Sequence, residues 1–109
     1  MKKKFKIIAT LFAVLFLIAC IKENHSVRVK NNLAADVNSV KFGTATVGFV
    51  ASGQTSGYVH IDTGTNLSCT VNKAAGGSIT GTGKISGKGT HKWTIYISIN
   101  GALTIQEDI

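Results

Sequence analysis

Apolar and polar residues alternate along most of the chain beyond residue 26. Val27 and Val29 flank Arg28, and Trp93, Ile95 and Ile97 alternate with polar neighbours. The same period of two recurs in five other short segments, at 40–42, 59–61, 67–71, 79–85 and 103–105. This period predicts antiparallel β-strands with one face in water.

Clusters of Gly, Asn, Asp and Ser separate these segments, as expected for tight turns. About seven short strands in one small domain, residues 27–109, predict an all-β fold. The expected architecture is an antiparallel β-sandwich, either immunoglobulin-like or transthyretin-like. No segment after Cys20 has the 3.6-residue period of a helix.

The last two strands allow a prediction of register. A two-residue loop at Asn100-Gly101 would mix apolar and polar positions across the pair. A three-residue loop places Ile97 opposite Leu103 and Ile95 opposite Ile105, so one face stays apolar. Gly101 is then expected in the left-handed conformation of a bulged turn.

The chain starts with a basic tip and a short apolar run. Lysines occupy positions 2, 3, 4 and 6, and residues 7–19 form an apolar run of 13 residues. A spanning helix needs about 20 such residues, so residues 1–19 are predicted to be a cleavable, helical signal peptide.

Leu17-Ile18-Ala19-Cys20 resembles the lipobox of bacterial lipoproteins. The resemblance implies a diacylglyceryl group on the Cys20 thiol, cleavage before Cys20, and acylation of the new amine by a fatty acid such as palmitate. Residues 20–26 are then the lipidated Cys and a short tether. Ile21 follows in place of the Asp that retains enteric lipoproteins in the inner membrane, which favours the outer membrane of the cell envelope.

The rest of the chain is similar to small envelope lipoprotein domains of unknown function. The segments that resemble them are VRVKN, VKFG, ASGQTSGYV and GTHKWTIYISINGALTIQED. The resemblance implies a β-sandwich without catalytic residues or cofactors. The expected function is therefore binding or structural, with an envelope protein or glycan as partner.

Charge narrows the range of partners. Without residues 1–19, eight basic and five acidic residues remain, with no basic stripe that would indicate nucleic-acid binding. Lys84, Lys88 and Lys92 share parity, so one extended segment would project all three from the same face. They are predicted to be solvated edge residues or contacts to anionic head groups or glycan.

Cys69 shares its parity with Leu67 and Val71 and is therefore predicted to point into the core, unpaired. Trp93 is predicted to be buried by the same argument.

Asp62-Thr63-Gly64 resembles the active-site triplet of retroviral-type aspartic proteases, in which two subunits each supply one Asp. That resemblance leaves a small dimeric protease as the alternative function, and an inhibitor of a periplasmic hydrolase as a third. We expect instead that Asp62 caps a turn and that the protein is not an enzyme. His25, His60 and His91 lack close ligand spacing, so they are expected on the surface or tether, with no metal site.

Overall fold

The computed structural model describes residues 23–109, and the predicted signal peptide, lipobox and Cys20 lie outside this range. Within it there is no helix of the length and apolarity that a membrane span requires. The eight strands are β1 (Asn24–Asn31), β2 (Val37–Phe42), β3 (Ala45–Val47), β4 (Val59–Ile61), β5 (Gly64–Lys73), β6 (Ser78–Ile85), β7 (Thr90–Ile97) and β8 (Leu103–Glu107).

The strands form two four-stranded sheets. Sheet A has the order β4-β1-β7-β8, and sheet B has the order β3-β2-β5-β6. All neighbours are antiparallel except β1 and β7, which are parallel from the pair Asn24 and Thr90 to the pair Asn31 and Ile97. The expectation of a purely antiparallel fold is therefore wrong at this pair. The reason is that β6 ends where β1 begins, so β7 enters sheet A from the same end as β1.

Alternate residues of both sheets supply one apolar core, as the period of two predicts. Its members are at most 5% exposed: Val27, Val29, Val37, Val40, Phe42, Ala45, Val47, Val50, Ile61, Cys69, Val71, Ile85, Ile95 and Ile97. The sheets thus pack through their apolar faces in a sandwich-like arrangement. We call the end where β1 begins the lower end. It also contains the loop of residues 86–89 and the turns at 43–44 and 62–63.

Two glycines of β6 allow close approach between the sheets. A Cβ atom at Gly83 would lie 2.2 Å from Ile105 Cδ1 and 3.0 Å from Phe42 Cζ. A Cβ atom at Gly81 would lie 3.2 Å from Leu103 Cδ1. The space beside these glycines is therefore occupied by Leu103 and Ile105 of the facing sheet and by Phe42 of the same sheet.

The predicted hairpin is confirmed. Ile97 pairs with Leu103 and Ile95 pairs with Ile105. Gly101 has φ of 85°, and its N–H donates to the Ser98 carbonyl at 2.9 Å. The uniform apolar face of this strand pair therefore selects the three-residue loop.

Other expectations need correction. Residues 23–109 form eight strands, not about seven, because the short strand β3 follows a turn at Gly43, whose φ is 54°. Strand β1 starts at Asn24, so residues 24–26 belong to the sheet although they were expected in a tether. Cys69 is buried as predicted, but Trp93 is only partly buried because it lies near the lower end.

Candidate functional site

A polar cluster lies on the outer face of sheet A. Arg28 of β1 and Lys92 and Thr94 of β7 alternate with core residues and therefore project outward. Tyr58 precedes β4, and Asp108 follows β8. Residues next to the two edge strands, β4 and β8, thus contribute side chains to the same surface as β1 and β7.

The Asp108 carboxylate is the centre of this cluster. It accepts hydrogen bonds from the Tyr58 hydroxyl at 2.5 Å and from the Thr94 hydroxyl at 2.7 Å. Arg28 Nε lies 3.7 Å from Asp108 Oδ2 and donates to Thr94 Oγ1 at 3.0 Å. The backbone N–H of Asp108 donates to the Lys92 carbonyl at 2.7 Å, which fixes the carboxylate against β7.

Two cations approach the Tyr58 ring. Arg28 Cζ lies 4.9 Å from the ring centroid, and Lys92 Nζ lies 5.0 Å from it. Both distances are within the range of cation–π attraction. The exposed ring therefore organises two positive charges on this face, and Asp108 offsets only part of their charge.

The pKa values reflect these contacts. Burial pushes the pKa of Asp108 upward, but hydrogen bonds from Tyr58 and Thr94 and the charges of Arg28 and Lys92 outweigh it, so the pKa lies below its usual value. The pKa of Tyr58 is raised, first by its hydrogen bond to Asp108. At neutral pH the pair is an ionised carboxylate and a neutral phenol.

A second cluster occupies the lower end of the inner face. His25 is 1% exposed, and its ring stacks on that of His91 at a centroid distance of 5.2 Å and an interplanar angle of 13°. Trp93 Nε1 donates to His25 Nδ1 at 3.0 Å. His91 Nδ1 lies 3.3 Å from Glu107 Oε2. The expectation of surface or tether histidines is therefore wrong for His25.

His91 gains stabilisation in its protonated form. Its hydrogen bond to the Lys88 carbonyl and its contact with Glu107 raise the pKa, against a smaller effect of burial. A depression of about 470 Å³ runs between the two clusters, lined by Arg28, Tyr58 and Lys92 on one side and His91 and Glu107 on the other.

The residues of the protease hypothesis lie elsewhere, where the chain passes from β4 of sheet A to β5 of sheet B. The side chain of Asp62 is 67% exposed, and its Oδ1 lies 3.0 Å from His60 Nε2. Its backbone N–H donates to Thr44 Oγ1 at 2.9 Å, as part of the turn that leads into β5. Among residues 23–109, no three His, Cys, Asp or Glu side chains converge as metal ligands would.

The three lysines do not share one extended segment. Lys84 belongs to β6 in sheet B, Lys92 belongs to β7 in sheet A, and Lys88 lies in the loop between them. All three are exposed and lie at or near the lower end, since Ile85 pairs with Gly64 and Thr90 pairs with Asn24. Their shared parity therefore does not give them a shared face.

Sequence reasoning missed most of both clusters. Arg28, Lys92 and Thr94 could have been grouped by parity, but no local pattern indicates that Tyr58 reaches Asp108, 50 residues away. His25 has the parity of Val27 and Val29, so extending that alternation by one step would have predicted its burial.

Comparison with known proteins gives a fold and no family. No known family and no curated protein matches the chain. A solved structure described as the NMR structure of the protein from Eubacterium rectale is similar, with a TM-score of 0.55 and 20% sequence identity. The match covers 79% of this chain and 89% of that one. At this level of identity the similarity concerns the all-β fold alone.

Proposed function

We propose that this protein is a lipid-anchored component of the cell envelope, most consistent with the outer membrane, whose domain has a non-enzymatic binding or structural role. The observation that carries the proposal is the sequence Leu17-Ile18-Ala19-Cys20 after a basic tip and an apolar run. Several acyl chains on Cys20 would anchor the protein durably, because each buried methylene contributes about 0.8 kcal/mol.

The position of β1 supports a domain that lies close to the bilayer. Residues 21–23 alone separate Cys20 from the first residue of β1. At about 3.3–3.6 Å per extended residue, the link to the lower end spans only about 10–15 Å. The lower end, with Lys84, Lys88 and Lys92 near it, would thus face the membrane.

The strand orders favour a transthyretin-like sandwich among the two expected arrangements. In an immunoglobulin constant-type domain the first two strands are neighbours in one sheet. Here β1 and β2 lie in different sheets, and β1 pairs with β4 and β7. This arrangement leaves the outer face of sheet A as a broad surface whose β1 end is near the anchor.

The anchoring proposal is tested by comparing the two cysteines. Cys20→Ala should abolish fatty-acid labelling and release the protein from membranes. Cys69→Ala is the matched control, because Cys69 is 1% exposed and burial raises the pKa of its thiol to about 11. A Cys20→Ala protein that is still labelled and still sediments with membranes would exclude the lipoprotein proposal.

We propose the outer face of sheet A as the binding surface, with an anionic envelope glycan as its ligand. Arg28 and Lys92 lie over the exposed Tyr58 ring, and Lys30 is a further exposed cation on the same face of β1. Guanidinium and ammonium groups bind carboxylates and phosphates through charge-assisted hydrogen bonds. Thr94 and Asp108 hold Arg28 in place for such a contact.

The binding surface is tested with charge-matched double variants. Arg28→Gln with Lys92→Gln should weaken cosedimentation with isolated cell-wall fragments at low salt. Lys41→Gln with Lys73→Gln removes the same charge from sheet B and should have a much smaller effect. Equal losses of binding in the two double variants would mean that net charge alone causes the binding. If Arg28→Gln with Lys92→Gln weakens binding to phosphatidylglycerol vesicles and not to cell-wall fragments, the ligand is a lipid head group and not a glycan.

A further inference from the structure

The depression beside the polar cluster lies at the lower end of sheet A, where β7 extends past β8. The last pair of these two strands joins Trp93 to Glu107, and residues 90–92 of β7 continue beyond it. The lining of the depression combines these three residues with Arg28, Tyr58, Glu107, Asp108 and Ile109. Its volume of about 470 Å³ lies in the range of small-molecule sites, about 300–1,000 Å³, so it can hold one charged sugar unit.

One wall of the depression offers hydrogen-bond donors that are unpaired among residues 23–109. Arg28 donates through Nε to Thr94, and its two terminal nitrogens have no hydrogen-bond partner in this part of the chain. Lys92 Nζ lies 5.0 Å from the centroid of the Tyr58 ring and forms no ion pair with a carboxylate of residues 23–109. These donors suit an anionic group, because charge-assisted hydrogen bonds are the strong ones.

The opposite wall contains a carboxylate that can accept further hydrogen bonds. The side chain of Glu107 is 43% exposed, and its contact with His91 Nδ1, at 3.3 Å, uses Oε2 alone. Oε1 therefore remains as an acceptor for a ligand. Asp108 differs, because the hydroxyl groups of Tyr58 and Thr94 already donate to it. Glu107 is thus the carboxylate that a ligand in the depression can engage.

We propose that the depression binds a group in which an ammonium ion lies next to an anion, as in an acidic amino sugar of an envelope glycan. Because this assignment rests on the proposed anionic-glycan surface, the anion is the first recognised group and the amine is the second. The anion contacts the terminal nitrogens of Arg28 and Lys92 Nζ, and the ammonium ion donates to Glu107 Oε1. A hydroxyl or an N-acetyl group in the same place forms a weaker hydrogen bond, because it carries no charge.

The preference for an amine is measured with two sugar phosphates that differ in one group. Glucosamine 6-phosphate carries an ammonium group at pH 7 where glucose 6-phosphate carries a hydroxyl. The full chain in detergent micelles would be titrated with each compound, and the shifts of backbone amide NMR signals give the two dissociation constants. We expect glucosamine 6-phosphate to bind about twofold to fivefold more tightly, the effect of one partly exposed ion pair. The shifted amides should include residues 90–92 and 107–108.

Two variants separate the carboxylate from net charge. Glu107→Gln should abolish the preference for the amine. Asp62→Asn removes an equal charge from an exposed site outside the depression and should retain the preference. Equal binding of both sugar phosphates to the wild-type protein, or a preference that Glu107→Gln leaves unchanged, would overturn the assignment of the amine to Glu107.

The possible outcomes also distinguish the amine from the anionic ligand itself. If both sugar phosphates bind equally and Arg28→Gln with Lys92→Gln weakens both, the amine is excluded and the anionic ligand stands. If neither sugar phosphate binds, the depression is not the site, and cosedimentation of the same double variant with cell-wall fragments decides the proposed function separately. Tighter binding of glycerophosphoethanolamine than of glucosamine 6-phosphate would assign the depression to a lipid head group and overturn the amino-sugar assignment.

Discussion

The two sheets share one core but differ in how their outer faces are held together. Among residues 23–109, the three ion pairs and both cation–π contacts all involve residues on or next to the strands of sheet A. The outer face of sheet B has one hydrogen bond between side chains, from Asn72 Nδ2 to Ser39 Oγ at 3.1 Å. Sheet B is thus stabilised by backbone pairing and apolar packing, whereas sheet A adds specific side-chain chemistry.

This difference indicates a division of roles. The outer face of sheet B consists of Thr, Ser, Asn and Lys, and of these only Asn72 and Ser39 hold each other by a side-chain hydrogen bond among residues 23–109. Sheet A fixes Arg28, Tyr58 and Asp108 relative to one another across its four strands. Fixed charges recognise a ligand at lower entropic cost than mobile ones, so binding is expected on sheet A. Changes in sheet B should alter stability and leave the chemistry of sheet A unchanged.

The largest effect is expected at the core of sheet B. Phe42 is 1% exposed and lies near Gly83 of β6. Phe42→Ala should lower the free energy of unfolding by about 3–5 kcal/mol, through lost burial and a residual cavity. Urea denaturation measures this loss, and Lys41→Ala, an exposed neighbour on β2, should stay within about 0.5 kcal/mol of wild type. Similar losses in both variants would contradict the assigned faces of β2.

A smaller effect is expected where the two sheets approach most closely. Gly83→Ala places a methyl group against Ile105 and Phe42, so overpacking should cost about 1–3 kcal/mol. Gly48→Ala is the matched control, because no atom lies within 4 Å of the added Cβ there. A thermal melt compares the two variants. If Gly83→Ala is as stable as Gly48→Ala, then β6 does not pack against β8 at Gly83 as described.

Alternation along the chain determines which face a residue occupies but not which strands are neighbours. It therefore predicted the burial of Cys69 and, with turn chemistry, the register of β7 and β8. It could not predict the parallel pairing of β1 with β7, because that contact joins segments 66 residues apart. Strand order depends on the packing of the whole domain and has no local signal.

Buried polar residues were the second feature that the alternation of apolar and polar positions did not predict. Asn31 continues the inward parity of β1 and is fully buried, yet it is polar and was not expected in the core. Its Nδ2 donates to the carbonyls of Ala35 and Val50 at 3.0 and 3.1 Å, and its Oδ1 accepts from the Leu33 N–H at 3.0 Å. His25 is the counterpart at the other end of β1. The partners of Asn31 come from loops, whereas those of His25 are Gly87 in a loop and Trp93 on β7. A strand pattern encodes neither the loop conformation nor the neighbouring strand.

The smallest effect concerns the carboxylate on the outer face of sheet A, and it depends on pH. The pKa of Asp108 is lowered in the folded state, so its contacts stabilise the fold above the ordinary carboxyl range and are lost as pH falls through the folded pKa. Asp108→Asn should therefore lower stability at pH 7 by no more than about 1 kcal/mol, as for other partly exposed ion pairs.

The difference between Asp108→Asn and wild type should shrink on acidification to about pH 3, because the wild-type carboxyl then becomes neutral as well. Urea midpoints at pH 7 and pH 3 measure this convergence. Asp62→Asn is the control, since the side chains of Asp62 and its partner His60 are 67% and 65% exposed. A gap of the same size at both pH values would mean that the Asp108 side chain stabilises the fold through hydrogen bonds that do not depend on its charge. In that case the charge of the cluster would contribute to ligand binding alone, and the stability difference between the two outer faces would disappear.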